Sequence, residues 1–226
     1  MVNAATNKVG GGKLNIIKNL VPSNKYNIKC PYTMNAEFYV VHNTANDASA
    51  RNEIAYMIRN DNKVSYHYAI DDKEIIQGVE ENRNTWNAGD GGNGSGNRKG
   101  IAIEICYSKS GGPRFIQAEI NTAKFIAKGL MEKGWGIDKV KKHQDFSGKY
   151  CPHRTLDMGW IRFINMIKAE LEKLDIDKVK VNIKSKIHYL DGTFKDNKNY
   201  VGVRELAELL GHKVDWDQVN KVVVIK

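Results

Sequence analysis

The spacing of hydrophobic and polar residues changes several times along the chain, and each change predicts an element. Residues 37–42, rich in Tyr and Val, suit a strand. From Asp47 to about Asn60, the residues Ala50, Ile54, Met57 and Ile58 recur at helical spacing behind a capping Asp47 or Ser49, predicting a helix that covers one face of a sheet. Two short β-rich runs, 64–70 and 74–79, flank Asp71-Asp72-Lys73 as in a hairpin. Ile101, Ile103 and Ile105 then alternate with Ala102, Glu104 and Cys106, so a strand turns three isoleucines to one side and a single carboxylate to the other. Ile116, Ile120, Ala123, Ala127 and Leu130 predict an amphipathic helix that stops at Gly134. A second helix, starting near Asp157, is expected to bury Trp160, Phe163, Ile164, Ile167, Leu171 and Leu174. Strands and helices thus intermingle, which predicts an α/β layer fold.

Between these elements the pattern fades. Residues 1–12 read as a flexible leader and 13–36, with Pro22 and Pro31, as an irregular approach to the first strand. Ala88 to Gly100, crowded with Gly and Asn, reads as a loop; without a Walker pattern or a following helix it is not a phosphate cradle. Beyond Asp175 the character changes. Val179, Val181 and Ile183 alternate, a turn is expected at Asp191-Gly192, a short helix runs from about Val203 to Leu210 and closes at Gly211, and the chain ends on Lys-Val-Val-Val-Ile-Lys. Two domains are therefore predicted, 1–175 and a small α+β module over 176–226. A module of about fifty residues is near the lower limit for folding alone, so it is expected to pack on the first domain or to pair with itself.

Composition narrows the classes. Thirty-five basic against 26 acidic residues give a formal charge of +9, which suits an anionic polymer or simply a soluble basic protein. No basic stretch interleaved with aromatics and no nucleic-acid motif is present, so nucleic acid is not the expected partner. Three cysteines, Cys30, Cys106 and Cys151, are too few for a disulfide framework. The N-terminus lacks the apolar core of a secretory signal, and nowhere do about eighteen apolar residues run together, so neither export by a signal of its own nor membrane insertion is expected.

Candidate chemistry lies in His143-Gln-Asp-Phe-Ser-Gly-Lys-Tyr-Cys151, followed by Pro152. An imidazole and a thiol stand eight positions apart, with Lys149 two before the thiol. Zinc favours nitrogen and sulfur donors, and a catalytic site uses three protein ligands with a fourth position open. His42, at the end of the first strand, is the best third ligand, because a strand end holds a side chain rigidly.

With these residues in view, His42-Asn43-Thr44-Ala45, Ser65 to Asp71, Gly100 to Cys106 and His143 to Pro152 together resemble the zinc N-acetylmuramoyl-L-alanine amidases of the phage-lysozyme and peptidoglycan-recognition-protein type, most closely the phage endolysins. The resemblance implies a mixed central β-sheet flanked by helices and cleavage, by zinc-activated water, of the amide between the lactyl group of N-acetylmuramic acid and L-alanine. It implies His42, His143 and Cys151 as ligands, Glu104 as the proton-transfer residue and Lys149 as the stabiliser of the oxyanion. Asn43, Tyr66, Trp86 and His153 are expected as substrate contacts. One departure stands out. Where many relatives read Trp-His-Ala-Gly-Asp, this chain has Trp86-Asn87-Ala88-Gly89-Asp90, so any imidazole role there is in doubt.

The C-terminal module, through Tyr200 to Ala207 and Gly211 to Trp216, resembles the copper-amine-oxidase N-terminal-like domain of clostridial surface proteins. It implies recognition of a Gram-positive wall or self-association; His188 and His212 are isolated, so no copper site is read there. An endolysin would be made in the host cytoplasm and act on the wall after release. The alternatives are a zinc peptidase acting within the stem peptide, and a non-catalytic peptidoglycan-binding protein. Cys151 speaks against the latter.

Overall fold

The computed structural model describes residues 15–176, 178–195 and 197–226, and the leader expected over 1–12 lies outside them. Six strands form one sheet: β1 (Ile16–Lys18), β2 (Phe38–Asn43), β3 (Tyr68–Ile70), β4 (Ile75–Gln77), β5 (Gly100–Ile105) and β6 (Val140–Lys142). Their spatial order is β1-β4-β3-β5-β2-β6, and every neighbouring pair is parallel except β3 with β4. That antiparallel pair is the expected hairpin. Asp71 closes its turn, its Oδ1 accepting from the backbone N–H groups of Lys73 and Glu74 at 2.8 Å each.

The helices of this part are α1 (Tyr26–Lys29), α2 (Ala50–Arg59), α3 (Ser95–Lys99), α4 (Gly112–Lys133), α5 (Gln144–Ser147), α6 (His153–Asp157) and α7 (Trp160–Ile176). Ser49, one of the two expected caps, accepts from the Asn52 N–H and starts α2. β2 and β5 lie at the centre, and Tyr39, Val40, Val41, Ile101, Ala102, Ile103 and Ile105 are all buried. Parallel strands covered on both faces read as near-continuous apolar runs, as these two do. Tyr39 meets the rings of Phe125 and Trp135 edge-on, and a Cβ on Gly129 of α4 would collide with its hydroxyl. Side chains alternate along a strand, so His42 points to the face opposite the one that carries Tyr39 and α4.

The structure corrects several expectations. In α4 the buried stripe is Phe115, Ala118, Glu119, Thr122, Ala123, Ile126, Ala127 and Leu130, while Ile116 is 46% exposed. The apolar spacing misjudged the phase because three buried positions, Glu119, Asn121 and Thr122, are polar; Glu119 is held by Arg162 at 2.6 Å. The glycine-rich segment holds the one-turn helix α3, and the irregular approach includes β1, which pairs with β4. The second long helix starts at Trp160, after α6 and Gly159 (φ 103°), and buries Phe163 and Ile167 completely.

The chain falls into two compact units, one through Ile167 and one from Lys168 to Lys226, so the division lies inside α7. In the second unit β7 (Lys178–Ile183), β8 (Lys186–Lys195) and β9 (Lys198–Val201) form an antiparallel sheet, followed by α8 (Val203–Leu209) and a hairpin of β10 (Val214–Asp217) and β11 (Val222–Ile225). Its buried residues include Val179, Leu190, Ala207 and Val214. The turn expected at Asp191-Gly192 is absent, because β8 runs straight through it. Gly192 is small because a Cβ there would strike the Tyr200 carbonyl of the adjacent strand. The actual turn is Lys184-Ser185, both at positive φ (50° and 64°). Among the described residues no helix is long and apolar enough to cross a membrane.

Candidate metal centre and active site

Three adjacent parallel strands deliver the expected residues to one end of the sheet. His42 and Glu104 are register partners in β2 and β5 and therefore share a face. His143 directly follows β6, its N–H donating to the Val41 carbonyl at 3.3 Å. The chain then passes through α5, turns at Gly148 (φ 74°) and returns Cys151, whose carbonyl accepts from the Gln144 N–H at 3.0 Å. Ligands of open α/β sheets collect at this carboxyl end of the strands.

His42, His143 and Cys151 are all buried, and their ligand atoms lie within 4.8 Å of one another. His42 Nδ1 is 3.0 Å from His143 Nδ1 and 3.8 Å from Cys151 Sγ. A tetrahedral zinc ion would space such pairs roughly 3.3 and 3.6 Å apart, given metal–nitrogen bonds near 2.0–2.1 Å and metal–sulfur near 2.3 Å. Burial, then the neighbouring His143, pushes His42 down to about 3, so its imidazole is neutral as a ligand must be. Burial likewise lowers His143. The Cys151 thiol is pushed up to about 11, first by burial and then by Glu104, so it is a nearby cation that would hold it as thiolate. Two neutral imidazoles and a thiol, buried and turned toward one another, fit a metal ion.

Glu104 keeps some solvent exposure, but its Oε2 is enclosed and has no hydrogen-bond partner. Burial, with a contribution from Glu53, raises its carboxyl to about 8, against the opposing charge of Lys149. Glu53 is a residue that sequence reading missed. It is buried on α2, its Oε1 accepts from Asn46 at 2.6 Å, and its Oε2 accepts from the Tyr66 hydroxyl at 3.2 Å. Its helical phase was the available signal, since it lies three after Ala50 and four before Met57, on the apolar face. Lys149 is exposed, and its charge acts on His42, His143, Cys151 and Glu104 alike.

The four expected substrate contacts divide in two. Asn43 and Tyr66 are buried, with their polar atoms engaged inside the protein. Asn43 Oδ1 accepts from the Arg154 and Thr155 N–H groups at 3.0 and 3.2 Å, and its Nδ2 donates to Thr155 Oγ1 and the His42 carbonyl. It thereby ties the end of β2 to the first turn of α6, two residues beyond the cysteine. Tyr66 donates to the Glu53 carbonyl at 2.9 Å as well as to its carboxylate. Trp86 and His153 are half-buried; the Trp86 indole N–H donates to the Ile28 carbonyl at 2.9 Å, leaving the ring face. Asn87, the odd position, accepts on Oδ1 from His42 Nε2 at 3.0 Å.

Because Asn43 accepts from two backbone groups, Asn43→Ala is expected to cost about 1–3 kcal/mol of stability by leaving them unpaired. Urea denaturation of the variant against the parent measures this. An unchanged midpoint would show that the clamp is energetically idle.

Residues 32–154 match the family model described as N-acetylmuramoyl-L-alanine amidase. Two curated proteins of Bacillus subtilis (strain 168) are similar to this chain. The N-acetylmuramoyl-L-alanine amidase CwlA is 58% identical over 162 residues, covering 71% of this chain and 60% of that protein. The N-acetylmuramoyl-L-alanine amidase XlyB is 59% identical over 157 residues, covering 69% of this chain and 48% of that protein. The chain thus spans 60% and 48% of the length of these two relatives. The solved structure of PlyL is 51% identical with a TM-score of 0.66, covering 68% of this chain and 97% of that one.

Proposed function

The chain belongs to the N-acetylmuramoyl-L-alanine amidase family, and on that premise we propose that it is an endolysin-type peptidoglycan hydrolase that cuts the amide between the lactyl group of N-acetylmuramic acid and L-alanine. The observation that carries this reading is the convergence of His42, His143 and Cys151 beside the unpartnered carboxyl of Glu104. Nitrogen and thiolate donors favour zinc among the divalent ions. Bound there, zinc would polarise the scissile carbonyl and bring the pKa of a bound water toward about 7.

The remaining work belongs to side chains. Glu104, with one oxygen free of protein partners, takes the proton from the attacking water and returns it to the departing L-alanine amine. Lys149 has no ion-pair partner among the described residues and holds the negative charge that grows on the carbonyl oxygen. Trp86 and His153 contact substrate from the rim. Asn43 and Tyr66 act as positioning residues, through α6 and through Glu53.

The second unit is read as a module that holds the enzyme on a Gram-positive wall. Tyr200 and Trp216 are 49% and 52% exposed there, and such rings offer apolar faces with polar tips for binding. Sedimentation of the intact chain with purified walls, against a chain ending at Ile176, tests this; equal co-sedimentation contradicts it, and a mass halved by truncation in light scattering would indicate self-association instead.

Mass spectrometry of wall fragments released by the purified protein, with and without chelator, tests the activity. The expected products carry a free muramic lactyl carboxyl and an L-alanine amino terminus, and none forms with chelator. Fragments in which alanine stays on the sugar would make the protein a stem-peptide peptidase. No fragments at all would make it a binding protein.

A further inference from the structure

We propose that Asn87 is a positioning residue that fixes which nitrogen of His42 is left bare for the metal, an inference that rests on the metal reading above. The Asn87 amide nitrogen donates to Thr85 Oγ1 at 2.8 Å and to the Thr85 carbonyl at 3.4 Å. A carbonyl only accepts, so the amide can face one way, and Oδ1 is the atom 3.0 Å from His42 Nε2. An amide oxygen also only accepts. His42 Nε2 therefore carries the ring hydrogen, and the lone pair of the neutral imidazole sits on Nδ1, the nitrogen that faces His143 and Cys151.

The segment that carries Asn87 is itself pinned. Buried Asn97 turns its Oδ1 to the backbone N–H groups of Asn87 and Ala88, at 2.8 Å each, and donates from Nδ2 to the Gly91 carbonyl at 3.0 Å. Asp90 accepts from the Gly96 and Asn97 N–H groups at 2.7 and 3.3 Å. Asn87 thus orients the His42 imidazole from a position that touches no reacting atom. Outer partners of metal-bound imidazoles matter because they set the tautomer and the ring angle, and their loss typically costs about 10–100-fold in metal affinity.

The test is zinc affinity by competition with a chromophoric chelator on the full chain, for the parent, Asn87→Ala and Asn87→Asp, together with nitrogen-15 histidine spectra of the zinc-free proteins. Asn87→Ala is expected to bind zinc about 10–100-fold more weakly and to spread His42 over both tautomers. Asn87→Asp keeps an acceptor oxygen toward Nε2 and is expected to retain both affinity and tautomer. Parent-like affinity in Asn87→Ala, or His42 still wholly protonated on Nε2, would overturn the proposal. So would equal losses in both variants accompanied by equal drops in melting temperature, which would mark a merely structural role. A parent that takes up no zinc would instead remove the metal reading itself, so the two failures are distinguishable.

Discussion

Replacing Cys151 by serine is expected to strip the protein of its metal and, with it, to slow wall hydrolysis by roughly three orders of magnitude, corresponding to the several kcal/mol a metal contributes to charge stabilisation in the transition state. The thiol is buried, and in the metal-free protein burial pushes its pKa up to about 11. A neighbouring metal makes a thiolate feasible there, whereas a serine hydroxyl ionises far less readily and supplies a poorer donor. The fold is expected to survive. The Cys151 carbonyl still accepts from Gln144, its N–H still donates to the Lys149 carbonyl, and the Asn43 clamp on Arg154 and Thr155 does not involve the sulfur. Metal content by elemental analysis, circular dichroism and fragment release from walls check the three parts together. A folded variant that keeps both zinc and rate would leave the cysteine without a role.

Replacing Glu104 by glutamine should leave the metal in place and lower kcat/KM by about 10²–10⁴-fold, the usual range for a lost acid–base group. In the proposed mechanism Glu104 acts first as a base, so it must be ionised, and the rate of the parent should rise through an acidic limb. Burial sets the Glu104 pKa at about 8 in the metal-free protein, while a cation in the site pulls it toward the ordinary 4.5, so the limb is expected between these values. The glutamine variant should lack it.

The same shift has a consequence for stability. A carboxyl whose folded pKa is raised contributes stability that is fully present below its unfolded value and is lost as pH rises through the folded one. Metal-free parent and variant should therefore melt together below about 4.5, with the parent falling progressively behind until pH passes about 8. Near-normal turnover in the variant would exclude Glu104 from proton transfer, and parallel melting curves would exclude its enclosed carboxylate as a source of instability.

How much of this was legible depended on how local the signal was. The strand under His42 and the one carrying Glu104 were readable because buried parallel strands repeat apolar residues with little interruption. β1 and β6, three residues each, carry too short a pattern for that and are held by their partners, β4 and β2. The candidate metal trio was read from residue types and the family's motifs, yet nothing in the sequence showed that His42 and Glu104 are neighbours. That follows from the β2–β5 register, set 62 residues apart. Asn43 is expected from the sequence as a substrate contact; its role as a clamp exists only once α6 is placed. Asn87 stands out in the sequence only as a missing imidazole, whereas the structure uses its oxygen as acceptor for His42. In α4, Glu119 and Thr122 broke the apolar rhythm and shifted the expected stripe, since their burial depends on Arg162 and on the Ala118 carbonyl respectively.

The central claim is that two imidazoles and one thiolate share a single ion with one corner open, and zinc K-edge X-ray absorption of the purified protein tests it most directly. The expected spectrum fits one sulfur near 2.3 Å and three light scatterers near 2.0–2.1 Å, two of them with the outer-shell pattern of imidazole, and the sulfur is lost in Cys151→Ser. A zinc environment of oxygen and nitrogen alone in the parent, or four protein ligands with no open position, would contradict it.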